Sequence, residues 1–144
     1  MVGNDETVSC TFSIQGKDFL DAGLVSTQIK GILKDLGIDA ALIRRVAIAT
    51  YEAEMNVVMY AHEAIVNLLV TPEAISITVN DRGPGIPDLA LAMQEGYSTA
   101  THEMREMGFG AGMGLPNIKK NADDFRITST VGEGTILEIR ISIN

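Results

Sequence analysis

Between Glu52 and Tyr60 the chain reads Glu-Ala-Glu-Met-Asn-Val-Val-Met-Tyr, so that Glu52, Asn56 and Tyr60 recur every fourth position. On a helix each such step turns the side chain by only about 40°, which places the three in one narrow stripe. Val46, Thr50, Ala53 and Val57 form the stripe beside it, and Met55 and Met59 make the opposite side apolar. A helix that is apolar nearly all round belongs inside the protein, where a carboxylate and an amide need partners. Two readings follow. In one, Glu52 and Asn56 are satisfied locally or by solvent. In the other, Glu52 is a carboxylate base beside an amide oxygen of Asn56 that helps to hold Mg²⁺, a cation that takes few protein oxygens and keeps waters and phosphates as its other ligands.

Three glycine-containing segments follow in order. Asn80-Asp81-Arg82-Gly83-Pro84-Gly85-Ile86-Pro87-Asp88 comes directly after a strand-like run. Gly83 and Gly85 permit a tight turn and close approach of the backbone to a ligand. Taken alone, Gly-Pro-Gly reads first as an ordinary turn; in the functional reading Asp81, at the strand end, accepts a hydrogen bond from a planar amine such as adenine N6. Gly108, Gly110, Gly112 and Gly114 then alternate with other residues just before Leu115. That spacing suits either a flexible connector or a loop whose amides wrap phosphates at a helix N-terminus. It lacks the Gly-Lys-Ser/Thr of a Walker A loop and does not follow a first strand as a dinucleotide fingerprint does. The last segment, Gly132-Glu133-Gly134-Thr135, reads by itself as a hairpin turn.

Taken together and in this order, the four segments resemble the N, G1, G2 and G3 boxes of the GHKL ATPases, the superfamily of DNA gyrase, MutL and the histidine kinases. Within it the Glu-x-x-x-Asn-x-x-x-Tyr spacing and the compact length are most similar to the anti-sigma-factor serine/threonine kinases. The runs Asp81 to Asp88, Gly96-Tyr97-Ser98-Thr99 and Gly110 to Pro116 are especially similar to the stressosome switch-kinase branch. The resemblance implies an ATP site in which Glu52 is the general base for a protein serine or threonine hydroxyl and Asn56 a ligand of Mg²⁺. It gives Asp81 the adenine, supported by Thr135, and Gly83, Gly85 and Ile86 the adenine pocket. It gives Gly108, Gly110, Gly112, Met113, Gly114 and Leu115 the triphosphate. Arg105, the cation of the intervening segment, is a candidate contact for the γ-phosphate. The implied activity is a serine/threonine protein kinase that acts on a small STAS-domain antagonist, with a sigma factor or a downstream phosphatase as a further partner. The alternative is an ATP-dependent sequestering module that transfers little or no phosphate; Glu52 favours the kinase, because binding alone needs no base. The segment Thr101 to Met107 is longer than in the switch kinases. Without the phosphoacceptor and dimerisation helices of histidine kinases, autophosphorylation on histidine is not expected.

The elements that must position these residues follow from periodicity. Val8, Cys10, Phe12 and Ile14 alternate with Ser9, Thr11 and Ser13 as a half-buried strand does. A helix is expected from Asp18 to Leu36, ending at Gly37, and a second from Ala40 to Ala61 with Asp39 as its N-cap. Ala64 to Val70 and Ile75 to Asn80 read as strands joined by a turn at Thr71-Pro72-Glu73-Ala74. A short helix over Asp88 to Gln94, a loop over Gly96 to Gly112 and a helix over Leu115 to Ala122 precede two last strands, Phe125 to Thr130 and Thr135 to Ile143. This order predicts one domain, a two-layer α/β sandwich with a mixed sheet and helices on one face.

Length and composition agree. At 144 residues and 46% hydrophobic, the chain suits a single domain with one core. No apolar run is long enough to span a bilayer, and Met1 to Glu6 lack the features of a signal peptide, so a cytoplasmic location is expected. A net charge of −8 argues against nucleic acid and anionic membranes as partners. Cys10, the single cysteine, excludes an internal disulfide and reads as a buried structural thiol. His62 and His102 have no partner at metal-ligand spacing and read as solvated. Met104, Met107 and Met113 suit a hydrophobic lid or an adaptable partner surface. A homodimer is compatible with all of this.

Overall fold

The computed structural model describes residues 7–94, 102 and 114–143. Its elements are β1 (Val8–Gln15), α1 (Leu24–Asp35), α2 (Ala40–Tyr60), β2 (Glu63–Val70), β3 (Ala74–Arg82), α3 (Leu89–Ala92), α4 (Gly114–Asn121), β4 (Asp124–Thr130) and β5 (Gly134–Ser142). The strands form a five-stranded sheet in the order β1-β2-β3-β5-β4. The residues of one strand parity point to the helices: Ile14, Val66, Leu68, Ile75, Ile77, Val79, Leu137, Ile139 and Ile141 are buried there. They meet Ile29 and Leu33 of α1, Val46, Val57 and Val58 of α2, and Ile118 of α4 in one core. The other parity, with Ser9, Thr11, Asn67 and Arg126, is exposed. The two-layer sandwich with helices on one face is therefore as expected.

Strand direction is not. Every neighbouring pair is antiparallel, where a mixed sheet was expected. The crossover after β3 does bring β4 back parallel to it, but the β4–β5 hairpin folds into the gap. β5 supplies three fully apolar core positions, Leu137, Ile139 and Ile141, whereas β4 alternates half-buried with exposed residues. Burial thus favours β5 inside the sheet and β4 at its edge.

The first helix also begins later than expected, at Leu24 rather than Asp18. Gly23 takes a left-handed φ of 97°, which ends the preceding turn. Residues 16–22 are drawn instead to the end of α2, where the Lys17 N–H donates to Val58 O at 2.7 Å and the Lys17 ammonium to Met59 O. The start of α1 is capped from a distance. Glu54 of α2, only 3% exposed, accepts hydrogen bonds from the N–H groups of Gly23, Val25 and Ser26 at 3.0, 3.1 and 2.9 Å. Asp39 caps α2 by accepting from Ala41 N–H, as expected. Cys10 is half-buried against the core.

Candidate nucleotide site

The site has two ends joined by α2. At the first end, β3 delivers Asp81 to the edge of the core. Its Oδ1 accepts from Thr135 N–H at 3.0 Å, and Thr135, at the start of β5, is buried. This geometry dictates glycine at 134: a Cβ there would lie 2.1 Å from the Asp81 carbonyl oxygen. The turn after β3 is pinned to the β4–β5 hairpin. Gly83 N–H donates to Glu133 O at 3.1 Å, and Gly132 N–H to Pro84 O at 2.9 Å. Gly85 has φ 76°, and a Cβ would meet Thr130 O at 2.5 Å.

Ser129 of β4 ties this end together and was not foreseen. Its Oγ accepts from Ile86 N–H at 2.7 Å and lies 2.9 Å from Thr135 Oγ1. Nothing local in the run Ile127-Thr128-Ser129-Thr130 marks it. Only the hairpin pairing, with Ser129 opposite Thr135, brings it to the turn. Burial raises the pKa of Asp81 above the ordinary 3.8, and the Thr135 N–H bond offsets part of that. One carboxylate oxygen is fixed by the backbone, which leaves Oδ2 as a directed acceptor for a planar amine.

At the second end, α4 begins against the C-terminal third of α2. Gly114 sits so close to Asn56 that a Cβ would be 3.2 Å from its Oδ1. Among the described residues none hydrogen-bonds the Asn56 side chain, whose amide oxygen lies beside the start of α4. One turn earlier on α2, Glu52 is half-buried and its Oε2 accepts from Asn117 Nδ2 of α4 at 3.2 Å. Asn117 too was not foreseen, because its partner lies 65 positions away. α2 links the two ends, since its C-cap Ala61 packs on Gly83.

Of the expected residues, Glu52, Asn56 and Gly114 lie where α4 packs on α2, and Asp81, Gly83, Gly85, Ile86 and Thr135 lie where the turn after β3 meets the β4–β5 hairpin. Leu115 turns its side chain into the core, 7% exposed, and leaves its backbone at the helix start. Arg105, Gly108, Gly110, Gly112 and Met113 lie outside the described residues, as does the rest of the Gly96 to Gly112 loop. Among the described residues no group of three or more His, Cys, Asp or Glu side chains is placed to hold a metal ion. The Asn56 amide oxygen beside the start of α4 suits Mg²⁺ as one oxygen ligand, since that cation takes few protein ligands and keeps waters and substrate phosphates as the others.

A half-buried carboxylate with one oxygen held by a backbone N–H lies beyond the C-cap of α2, and an amide and a second carboxylate lie about one and two turns before it where α4 begins, all on a two-layer α/β scaffold. Residues 21–141 match the histidine kinase-like ATPase domain, and the chain belongs to that family. It is similar to the serine/threonine-protein kinase RsbT of Bacillus subtilis, 30% identical over 113 residues that span 76% of this chain and 79% of that one. It is also similar to the anti-sigma F factor of Caldanaerobacter subterraneus, 31% identical over 96 residues, 63% of this chain and 64% of the relative. A crystal structure of the RsbU and RsbW domains of a Mycobacterium tuberculosis protein shares the fold. It has a TM-score of 0.59 and 17% identity, and the match covers 92% of this chain and 32% of that one. Among the described residues no helix is long and apolar enough to cross a membrane.

Proposed function

We propose that this protein is a serine/threonine kinase that transfers the γ-phosphoryl group of ATP to a STAS-domain antagonist in a partner-switching pathway. The observation that carries this reading is Glu52: one of its oxygens is held by Asn117, and no described residue engages the other. Oε1 takes the proton of the acceptor hydroxyl as the new oxygen–phosphorus bond forms. The bond from the γ-phosphorus to the bridging oxygen breaks, and ADP leaves. Asp81 Oδ2 orients adenine through its N6 amine. Asn56 Oδ1 and the first amides of α4 hold the phosphate end, together with Arg105 and the glycines Gly108 to Gly112. Bound there, Mg²⁺ would supply charge neutralisation. A sigma factor or a phosphatase is the further partner in this reading, and the setting is cytoplasmic, where ATP is available.

Radiolabel transfer from γ-labelled ATP to a purified STAS-domain protein of the same genome tests the proposal, with nucleotide affinity measured alongside. Glu52→Gln should lower transfer by on the order of 10²–10⁴-fold and leave ATP affinity nearly unchanged. Full transfer by Glu52→Gln removes the base. Similarity to relatives named anti-sigma F factor favours a second reading, in which the chain sequesters a partner in an ATP-dependent manner. Wild-type protein that binds ATP and partner but transfers no phosphate supports that one.

A further inference from the structure

Helix α4 is fastened to α2 at three points along its length. At its C-terminal end Arg45 Nε donates to Asn121 O at 3.1 Å, and the same guanidinium pairs with Asp123 at 3.0 Å. At its N-terminal end Gly114 packs on Asn56. In the middle Asn117 Nδ2 donates to Glu52 Oε2 at 3.2 Å. Arg45, Glu52 and Asn56 are seven and four positions apart, so one face of α2 carries all three contacts. Two of them are accounted for: Arg45 caps the carbonyl end of α4, and Asn56 faces the helix start. The third is not needed for docking, because Ile118 and Leu115 already anchor α4 in the core at 0% and 7% exposure. Asparagine is moreover a poorer helix former than alanine. The Asn117 side chain therefore weakens α4 locally, and what it provides in exchange is a contact to the carboxylate.

We infer that Asn117 is a positioning residue for phosphoryl transfer, which fixes the Glu52 carboxylate so that Oε1 alone receives the acceptor's proton. This rests on the reading of Glu52 as the base. The chemistry of the donor suits the role. A carboxamide N–H bonds the carboxylate firmly without carrying a charge, and it cannot exchange a proton with the base at neutral pH, as an ammonium or an imidazolium can. A base held in one rotamer also avoids reordering at the moment of transfer.

A double-substitution cycle tests this. Asn117→Ala should lower kcat for transfer to the STAS-domain acceptor on the order of tenfold, the effect of one hydrogen bond to a charged group. KM and the dissociation constant for ATP should stay within about twofold. Asn117→Asp, which sets a second carboxylate beside the first, should lose at least as much. In a Glu52→Gln background Asn117→Ala should have no further effect. The melting temperature of Asn117→Ala should fall by no more than a few degrees, because better helix propensity offsets part of the lost bond, so loss of folding does not blur the result. Wild-type kcat in Asn117→Ala overturns the inference, as does an equal loss in both backgrounds, the mark of a merely structural role. A second measurement needs no acceptor. The side-chain amide signals of Asn117 in a ¹⁵N spectrum should shift on Glu52→Ala; unmoved signals overturn the contact itself. Failure of the base reading shows separately, as full transfer by Glu52→Gln.

Discussion

Replacing Glu54 by alanine should destabilise the protein more than removal of any exposed charge, although Glu54 takes no part in the proposed chemistry. Its carboxylate accepts from three backbone N–H groups at the start of α1, and the bonds from Val25 and Ser26 are buried. No side chain of α1 itself caps that end. Each buried N–H left without a partner costs about 1–3 kcal/mol, so the two buried ones put the loss at roughly 4 kcal/mol. The unfolding entropy is about 2.1 cal/mol/K per residue, which makes it about 0.3 kcal/mol/K for a chain of 144 residues. The melting temperature should then fall by roughly 13 °C. Glu54→Gln keeps one acceptor oxygen and should lose about 1–2 kcal/mol, or roughly 5 °C. Calorimetry on the three proteins measures both. Hydrogen exchange at Val25 and Ser26 should accelerate in the alanine variant while the strand amides keep their protection. A fall of less than about 3 °C in Glu54→Ala would refute the argument, because it would mean that water or a shifted backbone satisfies these amides at little cost.

Asp81→Asn should weaken ATP binding and abolish its preference over GTP, as read by calorimetry with both nucleotides; equal affinity of the wild type for the two would sink the adenine role. Because burial raises the Asp81 pKa, wild-type ATP affinity should fall on acidification at a pH above the ordinary 3.8, and the asparagine variant should lack this limb. The same sign makes the Asp81 contribution to stability less favourable as pH rises through that range, since the folded state binds the proton more tightly than the unfolded one. Gly85→Ala should cost more than 1 kcal/mol in denaturant unfolding and weaken ATP binding, since a Cβ at φ 76° would also meet Thr130 O at 2.5 Å. Asn56→Ala should weaken ATP binding in the presence of Mg²⁺ and leave binding without the metal nearly unchanged; an equal loss in both conditions would remove it as a metal ligand.

Whatever depends on short spacing can be read from the order of residues alone. The four-residue stripe of Glu52 and Asn56, the alternation of the five strands and the positions of the turns at Gly83, Gly85 and Gly134 are local patterns, set by helix and strand periodicity and by the φ angles that glycine permits. The family was legible for the same reason, since its boxes are contiguous. Whatever depends on pairs distant in the chain is set by packing. β5 rather than β4 lies beside β3 because the more apolar strand gains more by burial, a competition that neither segment reveals alone. Glu54 rather than Glu52 is the fully buried carboxylate, because the start of α1 folds back over one side of α2 and α4 over another. The helix start at Leu24 follows from that cap and from the hold of α2 on Lys17. Ser129 and Asn117 joined the site only when a hairpin and a helix contact brought them to Ile86 and Glu52. Side-chain chemistry is written locally, but the partner that gives it a role is chosen by packing.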